Sequence, residues 1–153
     1  MGISNFTGQG ANFTPAYQAS GTPFVTSSNG TTVTTTPSHL RFPHVTRFIQ
    51  VTNTSEYPLR IGFSENGVNG LGGSVSGSSY ETSSPARCKN YLLLSGSTSG
   101  GGNQTVRLEV RCKELFIRSE SGTTGFTLIA GLTGISAMQF PTLTGSAGFR
   151  GVG

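Results

Sequence analysis

The side chains able to carry chemistry are few in this chain: His39 and His44, Cys88 and Cys112, and six Glu with no Asp. Two histidines at this spacing could supply two ligands to a metal ion. A zinc site needs further donors, however, and Pro43 imposes extended backbone between them rather than one face of a helix. They read as structural histidines beside the start of a strand. Paired carboxylates would suit glycoside hydrolysis, yet nothing singles out two of the six Glu. Glu109, Glu114 and Glu120 stand among arginines, where charge pairing between neighbouring strands accounts for them. The cluster Gly70 to Gly73 lacks the Lys-Ser/Thr and the following helix that a phosphate loop requires. Cys112 continues the apolar positions Val106, Leu108 and Val110, which makes it a small core residue. No catalytic, cofactor-binding or metal-ligating residue is named on these grounds, and the expectation is a protein that is not an enzyme and uses no cofactor.

The composition explains why such groups are scarce. A chain of 153 residues suits one domain with a single core. Charged residues make up 10%, against roughly 25% in an ordinary soluble domain, so hydroxyls and backbone must carry solubility. Ser and Thr fill the stretches between apolar runs, Thr favours extended backbone, and helix is disfavoured throughout. The net charge of +4 and isoelectric point near 9.5 invite a polyanionic partner. The arginines are scattered, however, at Arg41, Arg47, Arg60, Arg87, Arg107, Arg111, Arg118 and Arg150, without the basic run of a nucleic-acid arm. Nucleic acid is therefore not expected as a partner.

Two cysteines are too few for a disulfide framework. Residues 1–20 have neither a basic start nor an apolar block, so no signal peptide and a reducing compartment are expected. Sequons at Asn5, Asn12, Asn29, Asn53 and Asn103 arise readily in so Ser- and Thr-rich a chain. No apolar stretch approaches the ~18 to 20 residues of a membrane-spanning helix.

The elements that must position these groups read as strands. The start, to about residue 37, is a polar arm punctuated by Phe6, Phe13, Tyr17 and Phe24. Within its last part, 22–26 and 31–36 are predicted strands joined at Ser28-Asn29-Gly30, since Asn-Gly is a strong hairpin signal. From His44 the pattern becomes regular, with Val45, Arg47, Ile49 and Val51 on one side and Thr46, Phe48, Gln50 and Thr52 on the other. Further strands are predicted at 58–64, 90–95, 104–112, 114–119 and 124–132. Alternation of Val106, Leu108, Val110 and Cys112 with Arg107, Glu109, Arg111 and Lys113 marks an antiparallel sheet with one wet face. Residues 65–87 form a loop longer than usual, and residues 96–103 a second, flexible tip.

The expected architecture is an all-β, single eight-stranded jelly-roll sandwich over residues 22–133, with an N-terminal arm (1–21) and a C-terminal tail (134–153). An immunoglobulin-like sandwich lacks its Trp and Cys pair. An up-and-down barrel needs short hairpins throughout, whereas the 65–87 connection suggests a strand crossing between sheets.

Particular residues add a resemblance. Arg47-Phe48-Ile49-Gln50-Val51-Thr52-Asn53 with Pro58-Leu59-Arg60-Ile61-Gly62-Phe63-Ser64, then Val110-Arg111-Cys112-Lys113-Glu114-Leu115-Phe116-Ile117-Arg118 before the strand at Phe126 to Leu128, resembles the penton proteins of large icosahedral nucleocytoplasmic DNA viruses of chlorovirus or marseillevirus kind. The likeness covers about residues 44–132. It implies a single jelly roll, five copies of which close each capsid vertex among major capsid protein trimers and other minor capsid proteins. The setting it implies is the virion, assembled in the host cytoplasm. Two other functions compete: a glycan-binding or fibre-head module using the two long loops, and a nucleic-acid-binding β-barrel.

Overall fold

The structure, a computed structural model, describes residues 21–69, 90–97, 103–143 and 152, with the side chains of 29–31 left aside. Two four-stranded antiparallel sheets face each other. The first has the order β1 (Thr22–Val33), β8 (Thr124–Ser136), β3 (His44–Asn53), β6 (Thr105–Leu108). The second has the order β2 (Ser38–Arg41), β7 (Glu114–Ser119), β4 (Leu59–Gly62), β5 (Leu92–Leu94). A five-residue helix, α1 (Glu65–Asn69), and a 3-10 turn (Ala137–Gln139) complete the elements.

The two-residue period of the strands builds the core. In β7, Leu115 and Ile117 turn inward while Glu114, Phe116 and Arg118 do not. Leu59 and Ile61 of β4 join them, and Ile49, Val51, Leu128, Ala130 and Leu132 meet them from the first sheet. Each fully buried aliphatic side chain contributes on the order of 1.5–3 kcal/mol by leaving water. Phe24 and Phe42 close one end as an edge-to-face pair with centroids 5.2 Å apart.

Several sequence expectations change. The proposed hairpin at Asn29-Gly30 is absent: residues 22–33 form one strand, held by β8 from Thr22↔Leu132 to Val33↔Thr124 with an irregularity between Ser28 and Val33. A long partner strand outweighs the local turn signal, and the extra residues bulge instead of reversing the chain. The strand after it is β2, at 38–41 rather than 31–36.

The alternation of β3 is also interrupted. Thr46 and Phe48 are successive partners of Leu132 and Gly131, so Arg47 is an extra residue and the phase shifts. Thr46 thereby becomes fully buried, and Val45 moves into a small satellite core with Ile135 and Phe140.

The strand expected at 104–112 ends at Leu108. Beyond its pairing with Ile49–Thr52 of β3, residues 109–113 lead to β7 in the second sheet. Thr46 of β3 keeps them beside the first sheet on the way: its N–H donates to Cys112 O (2.9 Å) and its hydroxyl to Val110 O (2.8 Å). Val106, Leu108 and Val110 still pack on the core and Cys112 is buried, as the alternation indicated.

The 65–87 connection does not carry the chain between sheets. It links β4 to β5, which are antiparallel neighbours in one sheet. Its first residues form α1, a short helix in a chain whose composition disfavours helix, and residues 70–89 lie outside the described chain. Sheet crossings occur instead at shorter connections such as 54–58 and 120–123. In the latter, Gly122 has φ +68° with the Tyr57 ring against it, a backbone region that suits glycine. The last strand runs to Ser136 rather than stopping at 132.

Candidate functional site

The two outward faces differ in chemistry. On the second sheet, the neighbouring strands β2 and β7 place His39 beside Glu114 and Phe116. His39 Nε2 and Glu114 Oε2 are 2.8 Å apart, and the imidazole stacks on the Phe116 ring at 4.3 Å. One register step along, Arg60 of β4 lies opposite Arg118 of β7. Like charges directly opposite would repel, so each needs acceptors.

Arg60 forms a fork on Glu120, Nε to Oε2 at 2.5 Å and Nη2 to Oε1 at 2.6 Å, and donates from Nη1 to the carbonyls of Val68 and Asn69. Arg118 donates to Thr35 O and Asn69 O. The last carbonyls of α1 thus receive two guanidinium groups, the arrangement helix C-termini favour. Hydrogen bonding to Glu120 outweighs partial burial and raises the Arg60 pKa above its ordinary value. The Tyr91 ring lies 4.5 Å from the Arg60 guanidinium carbon. Val68 is fully buried, and a Cβ on Gly62 would meet its side chain at 2.7 Å, so α1 covers this part of the sheet.

The first sheet presents a different surface. Val25 of β1, Ile129 of β8, Gln50 of β3 and Arg107 of β6 form one row across it. Val25 is 65% exposed and Ile129 38%. In the next row, Phe48 lies over Gly131, where a Cβ would approach the ring to 2.5 Å, and the Arg107 guanidinium covers Phe48 at 4.0 Å.

The residues considered for chemistry are not brought together. His39 belongs to the second sheet, whereas His44 opens β3 in the first, opposite Ser136. Glu114 meets His39, Glu120 meets Arg60, and Glu109 meets Arg107 at 2.9 Å between exposed side chains. Among the described residues no group of three or more His, Cys or Glu could hold a metal ion, and no helix is long and apolar enough to cross a membrane. Cys112 is a free, buried thiol whose burial pushes its pKa up to about 11. Cys88 and Glu81, the Gly70 to Gly73 cluster and most of both long loops lie outside the described residues.

As a candidate site residue, Asn53 stands out in the sequence as a sequon. The structure buries it completely, so it is no glycan acceptor in the folded chain. Its Nδ2 donates to the carbonyls of Tyr57 (2.9 Å), Leu94 (3.2 Å) and Ser95 (3.2 Å), while Oδ1 accepts from the Ser55 N–H and the Thr124 hydroxyl. One side chain thereby ties both sheets to the β3–β4 turn. The geometry as a whole presents surfaces: one face latched by its own charges and helix, the other open with a long strand at its margin.

No family model matches the chain, and neither a curated protein nor a solved structure aligns with it.

Proposed function

We propose that this chain is a structural capsid protein, a single jelly roll that forms the pentameric vertices of an icosahedral virus. The observation that carries the reading is the strand order. The ladders β1 with β8, β2 with β7, β3 with β6 and β4 with β5 are the four rungs of one antiparallel ribbon. Rolled as a double Greek key, such a ribbon would give the order β1-β8-β3-β6 against β2-β7-β4-β5, which supports the jelly-roll reading, an architecture common in capsid proteins.

A closed ring of five is a heterologous assembly, in which each copy meets its neighbours through two unlike surfaces. The open first-sheet face and the charge-latched second-sheet face supply unlike surfaces, which supports the reading without assigning contacts. The partners are then other copies of this chain, with trimers of a major capsid protein and other minor capsid proteins around the vertex. The place is the virion, assembled in host cytoplasm. The role is structural, without catalysis or a cofactor.

Electron microscopy of the purified protein tests this directly. Rings with five-fold rotational symmetry are expected. Three-fold particles, or dispersed single copies that bind immobilised glycans, would overturn the vertex reading in favour of a fibre head or lectin.

A further inference from the structure

The sheets have four margins, and three are guarded in the ways edge strands usually are. β5 is three residues long, β2 carries His39 and Arg41, and β6 carries Arg107. β1 is twelve residues long, contains no charged side chain, and pairs only with β8 in the described sheet. Pro23 guards one end of it and the irregularity after Ser28 the other, which leaves Phe24 to Ser28 open.

Proline in a sheet sits where its missing N–H would face away from the ladder. Pro23 therefore marks the outward direction, and the two-residue period gives the same direction to the N–H and C=O groups of Val25 and Ser27. Among the described residues those groups have no strand partner, and they lie beside the exposed side chain of Val25.

The chain itself contains a suitable occupant. Residues 1–20 carry no charge and include Phe6, Phe13 and Tyr17. Fully extended, twenty residues at ~3.3 Å each reach about 66 Å, enough to lie along a neighbouring copy. At Gly21, where the described chain begins, a Cβ would collide with the Leu132 carbonyl, so the backbone at that point lies close against β8 rather than at the open margin.

We propose that the free edge of β1, through Val25 and Ser27, binds an extended strand from the N-terminal arm of a second copy. This proposal rests on reading the chain as self-assembling, and names one contact through which assembly occurs. Main-chain hydrogen bonds would supply the pairing, with alternate arm side chains facing Val25.

Residue-resolved hydrogen exchange on the full chain, at low and high protein concentration, tests it. Val25 and Ser27 amides should exchange rapidly in dilute protein and gain at least about ten-fold protection on association, while Phe24 and Thr26 stay protected in both. Val25→Pro removes one outward donor; it should keep the Phe24 and Thr26 protection and lose association. Phe6→Arg with Phe13→Arg should abolish the concentration-dependent protection with β1 intact. Protection independent of concentration would overturn the proposal in favour of the copy's own arm. Protection that survives the arm substitutions would overturn it in favour of edge-to-edge pairing. Five-fold rings whose Val25 and Ser27 amides exchange rapidly would remove this contact but leave the capsid reading standing, whereas a chain that never associates would remove both.

Discussion

Asn53 satisfies five polar partners from a fully buried position. Replacing it by Ala removes the donor to the buried Leu94 carbonyl and the acceptor of the buried Thr124 hydroxyl, and we expect Asn53→Ala to cost about 3 kcal/mol, since each buried unsatisfied group costs roughly 1–3 kcal/mol. Urea denaturation followed by circular dichroism measures this; Asn53→Asp, which loses both donors and adds a buried charge, should be worse. The sequence could not reveal this role, because Leu94 and Ser95 lie 41 and 42 positions away. Cys112 was readable from its place in an apolar alternation, and its thiol offers a pH test. In the unfolded chain it ionises near 9.0, in the folded one near 11. The native state holds this proton more tightly, so its contribution to stability is complete below pH 9 and is lost as pH rises through 11. The urea midpoint should fall between pH 8.5 and pH 10.5, and fall less in Cys112→Ala. At pH 8 the thiol should react with a chromogenic disulfide reagent only on unfolding.

At the scale of elements, periodicity located β3, β4, β5, β7 and β8 to within a few residues, because inward aliphatic positions recur at two-residue spacing in half-buried strands. What it missed depends on partners distant in sequence. The register of β8 overrides Asn29-Gly30 and makes one strand of two, and an extra residue at Arg47 turns Thr46 inward. β2 escaped notice since its four residues alternate too briefly to register. α1 exists because two arginines on neighbouring strands bind its last carbonyls and Val68 fills the space above Gly62, none of which local propensity records. The stack of Gly131, Phe48 and Arg107 gives an element-level prediction. Gly131→Val should displace the Phe48 ring and destabilise the protein by about 1–3 kcal/mol, the usual cost of overpacking. Combining it with Phe48→Ala should cost less than the sum of the two single changes, a coupling that a double-mutant cycle on chemical denaturation measures.

For the molecule as a whole, composition and alternation made an all-β chain with two sheets legible, and the structure has two antiparallel sheets. The long 65–87 segment misled, because loop length does not say which sheet the next strand joins; hydrogen bonding across β4 and β5 does. The surface was less readable still. Val25 and Ile129 are apolar residues in strands, and only the sheet register turns them outward into one row beside an uncharged margin. A chain with charge at 10% of its residues has little electrostatic repulsion to keep copies apart, in keeping with the proposed ring. Native mass spectrometry puts that claim to its plainest test. The account predicts a dominant species of about 80 kDa, five chains of 15.9 kDa, and a population confined to 15.9 kDa at high concentration would contradict it.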